Sequence, residues 1–173
     1  YLEDDSTTGF IRPYEDGYSF MALLPKEGIS IEDYISHLSA EKLIGLVENV
    51  STDYEVDAAI PKFKSEYSIE LKDTLQNMGM TDAFDEEQAD FRGIGTSDNR
   101  NIYINMVLHK TYIEVDEQGT KAGASTVVGM VETMSLYEPE IKTVHLDRPF
   151  VYAIIDTETQ MPIFLGVTES VEE

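Results

Sequence analysis

The chain contains no cysteine, so disulfide spacing gives no reading of its redox compartment. Basic residues are scarce. Twelve Lys and Arg stand against 34 Asp and Glu, a formal net charge of −22. That sign argues against nucleic acid and anionic membrane surfaces as partners and favours solubility. No apolar run is long enough to span a bilayer, and no signal-peptide pattern follows Tyr1. Histidine is sparse too. His37, His109 and His145 show no metal-site spacing, and no serine stands in a nucleophile-elbow pattern. The acids are so numerous that some pair will lie close by chance, which is no sign of glycoside chemistry. Neither intrinsic catalysis nor a metal or other cofactor is expected. With 173 residues the chain can form one domain with a sizeable core.

Taken in order, Tyr1 to Ser6 is acidic and reads as an edge or a frayed end. Thr8 to Tyr14 predicts a strand, with Pro13 placing its end near a sheet edge. Glu15-Asp16-Gly17 is a turn. Tyr18 to Leu24 is apolar nearly throughout and predicts a strand buried on both faces. Ser30 caps a short helix, with Asp33 completing an acidic form of the capping box. Ser39 caps a second helix whose apolar face is Leu43, Leu46 and Val47. His37, between the two, reads as a solvated side chain. Ser51 to Phe63 alternates and breaks at Pro61. Ser68 is expected to cap the best helix, with Leu71, Leu75 and Met78 on one stripe and Gly79 as its stop. Ile102 to Val115 predicts one long strand in the middle of a sheet, with His109 embedded in it. Lys142 to Val144 is a short strand. Phe150 to Ile155 and Pro162 to Val167 form a closing hairpin, with Phe150, Ile154 and Phe164 in the core.

The segment from Asp116 to Met134, DEQGTKAGASTVVGMVETM, is the most informative. It opens on a turn signal and becomes a track of small residues. Read with a period of two, Thr120, Ala122, Ala124, Thr126, Val128 and Met130 share one strand face. Lys121, Gly123, Ser125, Val127 and Gly129 share the other. The only charge lies in the second set, so the first face suits insertion into a packed sheet. Composition alone fits a flexible linker equally well.

GTKAGAST after Glu117-Gln118 resembles the reactive-loop hinge of serpins, the serine protease inhibitors that trap their target. Four further blocks resemble the family in the right order: Tyr18 to Gly28, Ala58 to Phe84, Ala89 to Ile94, and Asp147 to Thr168. The resemblance runs nearly end to end and covers the C-terminal half of a serpin. It implies an α+β fold with mixed β-sheets A, B and C and short helices. Residues 1–173 would be the C-terminal half of a single serpin domain, with the reactive-centre loop at 116–141. The missing N-terminal half would be a partner, as would a serine protease. An extracellular or secreted location is the expectation for such a protein.

The resemblance also assigns roles. Glu117, Gly119, Thr120, Ala122, Ala124 and Thr126 form the hinge. Lys62 pairs with Glu117 at the site called the breach. The bland alternative is two solvated charges worth about 0–1 kcal/mol. His109 is the shutter histidine, a structural residue with a gating role and not a catalyst. Counting from Gly119 places the scissile bond at Thr133-Met134, with Met134-Ser135 next. Small or unbranched uncharged side chains there suit elastase-like or subtilisin-like proteases and not trypsin. Leu136 or Tyr137 would instead imply a chymotrypsin-like target. Lys121 and Gly123 depart from the family pattern, on the outward face. The implied activity is that of a suicide substrate whose cleaved loop inserts into the central sheet. The alternative is a non-inhibitory storage, carrier or chaperone protein of the same fold.

Overall fold

The computed structural model describes residues 1–14, 16–98, 101–116, 119–120 and 139–170. In chain order the described elements are β1 (Leu2–Glu3), β2 (Thr7–Pro13), β3 (Tyr18–Pro25), α1 (Ile31–Ser36), α2 (Ala40–Glu48), β4 (Tyr54–Ala59) and β5 (Phe63–Glu70). They continue with α3 (Lys72–Asn77), a 3-10 turn (Asp82–Phe84), β6 (Leu108–Asp116), β7 (Gly119–Thr120), β8 (Glu140–His145), β9 (Phe150–Asp156) and β10 (Pro162–Thr168). The strands form three sheets, of order β1-β2-β3-β9-β10, β4-β8 and β5-β6-β7. The chain divides into two compact units, one of Tyr1–Phe63 with Glu114–Glu173 and the other of Lys64–Ile113.

In the first unit, the apolar runs of β3 and β9 become the inner strands of an antiparallel five-stranded sheet. Both are buried along nearly their whole length, as strands covered on both faces must be. Phe20 lies opposite Ile154 and Ala22 opposite Tyr152. Alternation then separates two cores. Met21, Leu23, Val151 and Ala153 face α1 and α2, where Tyr34, Leu46 and Val47 meet them. The other face is aromatic. Phe63 packs at 5.6 Å edge-on to Phe150 and 4.9 Å from Tyr152, and Phe164 stacks on Tyr152 at 6.1 Å. Gly166 makes room for that ring. A methyl group there would fall 2.8 Å from Tyr152 Cε2 and nearer still to Cζ and the hydroxyl.

Local chemistry sets the boundaries. The turn between β2 and β3 uses Gly17 at φ +78°. Both expected helix caps form: Ser30 Oγ accepts the Asp33 N–H at 3.1 Å, and Ser39 Oγ accepts that of Lys42 at 3.2 Å. The Asp4 carboxylate accepts the N–H groups of Ser6 and Thr7, both at 2.7 Å, and so closes the turn from β1 to β2. Lys42 reaches back to the same carboxylate at 3.2 Å. Thr7 is fully buried and donates its hydroxyl to the Leu24 carbonyl at 2.9 Å.

In the second unit, two expectations fail. Ser68 does not cap a helix; it lies inside β5. The helix starts later, at Lys72, and Glu70 takes the capping role by accepting the Lys72 N–H at 3.0 Å. Its stop is as expected: Gly79 sits at φ +103°, and the Met80 N–H returns to the Leu75 carbonyl at 2.9 Å. The long strand from Ile102 is also shorter than its alternation predicts, starting only at Leu108. The backbone before it is engaged elsewhere. Ile104 N–H donates to Ala83 O, Val107 N–H to the Glu70 carboxylate, and Val107 O accepts from Leu71. Those bonds replace a ladder with a local clasp. Phe164, expected in the core, is only half-buried.

Candidate functional site

The segment 116–141, where the reactive loop is expected, has a described strand at each end, β6 with β7 at its start and β8 at its far end. At its start, β6 leads to β7, which folds back antiparallel so that Val115 lies opposite Thr120 and Asp116 opposite Gly119. Ile113 and Val115 are buried while Tyr112 is exposed, so one parity of β6 faces a core. At its far end, β8 lies parallel to β4 in register from Tyr54–Glu140 to Ala59–His145.

The far anchor is braced by side chains. The Lys142 ammonium lies 4.6 Å from the Tyr54 ring centroid and 5.9 Å from that of Tyr1, and it ion-pairs with Glu140. Its hydrogen bond to Glu140 holds the lysine pKa above the ordinary value. The rings of Tyr1 and Tyr54 meet edge-on at 5.6 Å. His145 Nε2 reaches Asp57 Oδ2 at 3.1 Å. Val144 and Leu146 are buried, and Leu146 N–H donates to Ala59 O at 2.9 Å. Beyond β8, the Arg148 guanidinium donates to the Pro25 carbonyl from Nε at 3.3 Å and Nη2 at 2.9 Å. This ties the chain leaving the loop to the end of β3.

Gly119 and Thr120 are thus placed by their backbone in β7. Lys62 is exposed between β4 and β5. Its expected partner Glu117 lies outside the described residues, as do Ala122, Ala124, Thr126, Thr133, Met134 and Ser135. His109 lies in β6 and is exposed. Sequence reasoning missed Lys142, Tyr54, Asp57 and Arg148. Only Arg148 carried a signal, as part of the Asp147 to Thr168 block. Among the described residues no group of His, Cys, Asp or Glu could hold a metal, and no helix is long and apolar enough to cross a membrane.

A family model described as "Serpin (serine protease inhibitor)" matches residues 1–170. An uncharacterized serpin-like protein of Thermococcus kodakarensis is 37% identical over 167 residues, 96% of this chain and 38% of the relative. Intracellular coagulation inhibitor 2 of Tachypleus tridentatus is 37% identical over 155 residues, 89% of this chain and 36% of that protein. Its name shows that relatives are not all placed outside the cell. Among solved structures, the native state of the thermophilic serpin tengpin superposes with a TM-score of 0.78 at 48% identity, covering 98% of this chain and 43% of that one. Thyroxine-binding globulin in complex with thyroxine superposes with a TM-score of 0.74 at 26% identity, covering 100% and 44%. The chain therefore spans about two fifths of the length of the proteins it resembles. Their mixed sheets match the expected fold class.

Proposed function

We propose, from the premise that this chain belongs to the serpin family, that the complete protein is a serine protease inhibitor acting as a suicide substrate. Residues 1–173 are read as the C-terminal half of its single domain and 116–141 as its reactive-centre loop. One observation carries this reading: the pairing of β7 with β6. Paired positions sum to a constant, 115 + 120 = 116 + 119 = 235. On insertion of the cleaved loop, the same register would carry Ala122, Ala124 and Thr126 along β6. Thr120, Ala122, Ala124 and Thr126 share one parity of the segment and are small and uncharged, which suits a strand entering a packed sheet.

The chemistry follows. A serine protease attacks the carbonyl of Thr133, or of Met134, and forms an acyl-enzyme. Cleavage frees the hinge end of the loop, which zips along β6 in that register. Each new ladder bond contributes roughly 0.5–1.5 kcal/mol net. The ester-bound protease is carried away from the docking end and its site is distorted before water can release it. The uncleaved state is then a store of strain. His109 is read as a gating residue and not a catalyst, and the protein itself as no enzyme. The residues around Thr133 favour elastase-like or subtilisin-like targets.

The second reading is a carrier of the same fold, favoured by the likeness to thyroxine-binding globulin. The absence of bulky or charged residues among Thr120, Ala122, Ala124 and Thr126 favours inhibition. The test mixes the complete protein with an elastase-like serine protease and analyses the product on a denaturing gel. An adduct of summed mass that survives boiling in detergent is expected. The Thr126→Arg variant should give only clipped inhibitor and active protease. A wild-type protein that is merely clipped by a panel of serine proteases would sink the inhibitory reading.

A further inference from the structure

We infer that Lys142 is a positioning residue for the reactive loop, a cation clamped over the Tyr54 and Tyr1 rings that fixes the loop's far end on β4. The inference rests on the inhibitory reading for its consequence, but its geometry stands alone. Among the described residues β8 has one ladder partner, β4, and a strand pair by itself is marginal in water. Its six paired positions run parallel, the less stable arrangement per residue. Something beyond the ladder has to hold β8.

Side chains from both strands and from the start of the chain converge on one ammonium group. The Lys142 side chain is only 28% exposed. It has a ring at 4.6 Å and another at 5.9 Å, both inside the range of about 6 Å over which a cation is attracted by a ring face. The Tyr1 ring braces Tyr54 edge-on at 5.6 Å, and Tyr1 is itself tied to Ser51 by backbone bonds in both directions, each of 2.9 Å. Glu140, the first residue of β8, completes the clamp as the counter-ion. The place where the loop ends is therefore set by charge and aromatic geometry as well as by the ladder.

Amide hydrogen exchange over residues 140–145 of the complete protein tests the clamp. An exposed cation–π pair is worth roughly 0.5–1 kcal/mol, so losing it should raise the opening of β8 about two- to fivefold. Lys142→Met should show that rise and Lys142→Arg should restore most of the protection. Tyr54→Phe, which keeps the ring face, should behave as wild type, whereas Tyr54→Leu should match Lys142→Met. Unchanged exchange in Lys142→Met, or Tyr54→Phe as damaging as Tyr54→Leu, would overturn the inference. A wild-type protein that forms no adduct but shows the exchange pattern would instead refute the inhibitory reading and leave the clamp in place.

Discussion

The Gly166→Ala substitution tests the packing of the aromatic core directly. On a solvated strand this change would help, since glycine in a strand interior is destabilising by roughly 0.5–1 kcal/mol relative to alanine. Here the added methyl would sit 2.8 Å from Tyr152 Cε2, at least 0.6 Å inside the 3.4 Å at which ordinary contact begins (3.4 − 2.8 = 0.6). The ring has nowhere to go. Tyr152 is 1% exposed, with Phe63 at 4.9 Å, Phe150 at 6.2 Å and Phe164 at 6.1 Å. Moving it breaks the stack with Phe164 or pushes Phe63, which enters from the start of β5. Overpacking of this kind costs about 1–3 kcal/mol. The larger clash should win over the gain in backbone entropy, so we expect a net loss of about 1–2 kcal/mol. Urea unfolding of the complete protein, followed by tyrosine fluorescence, reads it as a lowered midpoint at unchanged slope. A midpoint equal to or above wild type would refute the argument that the Tyr152 ring requires glycine at this position.

Two further outcomes follow from buried and capping groups. Among the described residues the buried Tyr34 hydroxyl has no hydrogen bond of good geometry, and the Thr7 hydroxyl beside it donates to the Leu24 carbonyl. Because an unsatisfied buried hydroxyl costs about 1–3 kcal/mol, Tyr34→Phe should leave stability unchanged or raise it by about 1 kcal/mol, and a marked loss in the urea midpoint would reveal a partner. In acid, three carboxylates should lose their contribution. Burial pushes the Asp4 pKa up, but hydrogen bonds from Ser6 and Lys42 outweigh it and hold it below the ordinary value. The Thr159 backbone N–H and hydroxyl hold Asp156 low, and Arg92 draws Asp90 down to about 2. A folded pKa below the unfolded one means that stability is complete above about 3.9 and is lost as pH falls through the folded value. The urea midpoint should therefore drop between about pH 4 and pH 2, and Asp4→Asn should flatten part of that drop.

Much of the five-stranded sheet was legible because the relevant physics is local or periodic. Tyr18 to Pro25 has no polar face to expose, and Ser30 and Ser39 stand where an orphan N–H needs an acceptor. Ser68 misled because its hydroxyl fits a cap as well as a strand, while the carboxylate of Glu70, two residues on, caps the real helix. The alternation from Ile102 was genuine, but a strand needs a neighbour, and that backbone bonds to Ala83, Glu70 and Leu71. The track of small residues lies mostly outside the described residues, and the strand that follows it was legible without its side-chain bracing. Lys142 and Tyr54 lie 88 positions apart (142 − 54 = 88) and are joined only by the parallel register of β4 and β8. No window of sequence contains that pairing.

The order β1-β2-β3-β9-β10 has a consequence for the birth of the molecule. Phe20 and Ile154 are partners across the middle of the sheet, yet 134 positions separate them (154 − 20 = 134). A ribosome adding about 5–20 residues per second takes several seconds to make that stretch. Through that interval β3 shows an apolar edge with no strand to take it, the condition in which chains pair with the wrong neighbour. The place beside β3 is filled only when β9 emerges, after residues 116–141 have been made. The segment that follows the loop is therefore the closing stone of the sheet, and anything that delays its synthesis prolongs the time in which the nascent chain can aggregate.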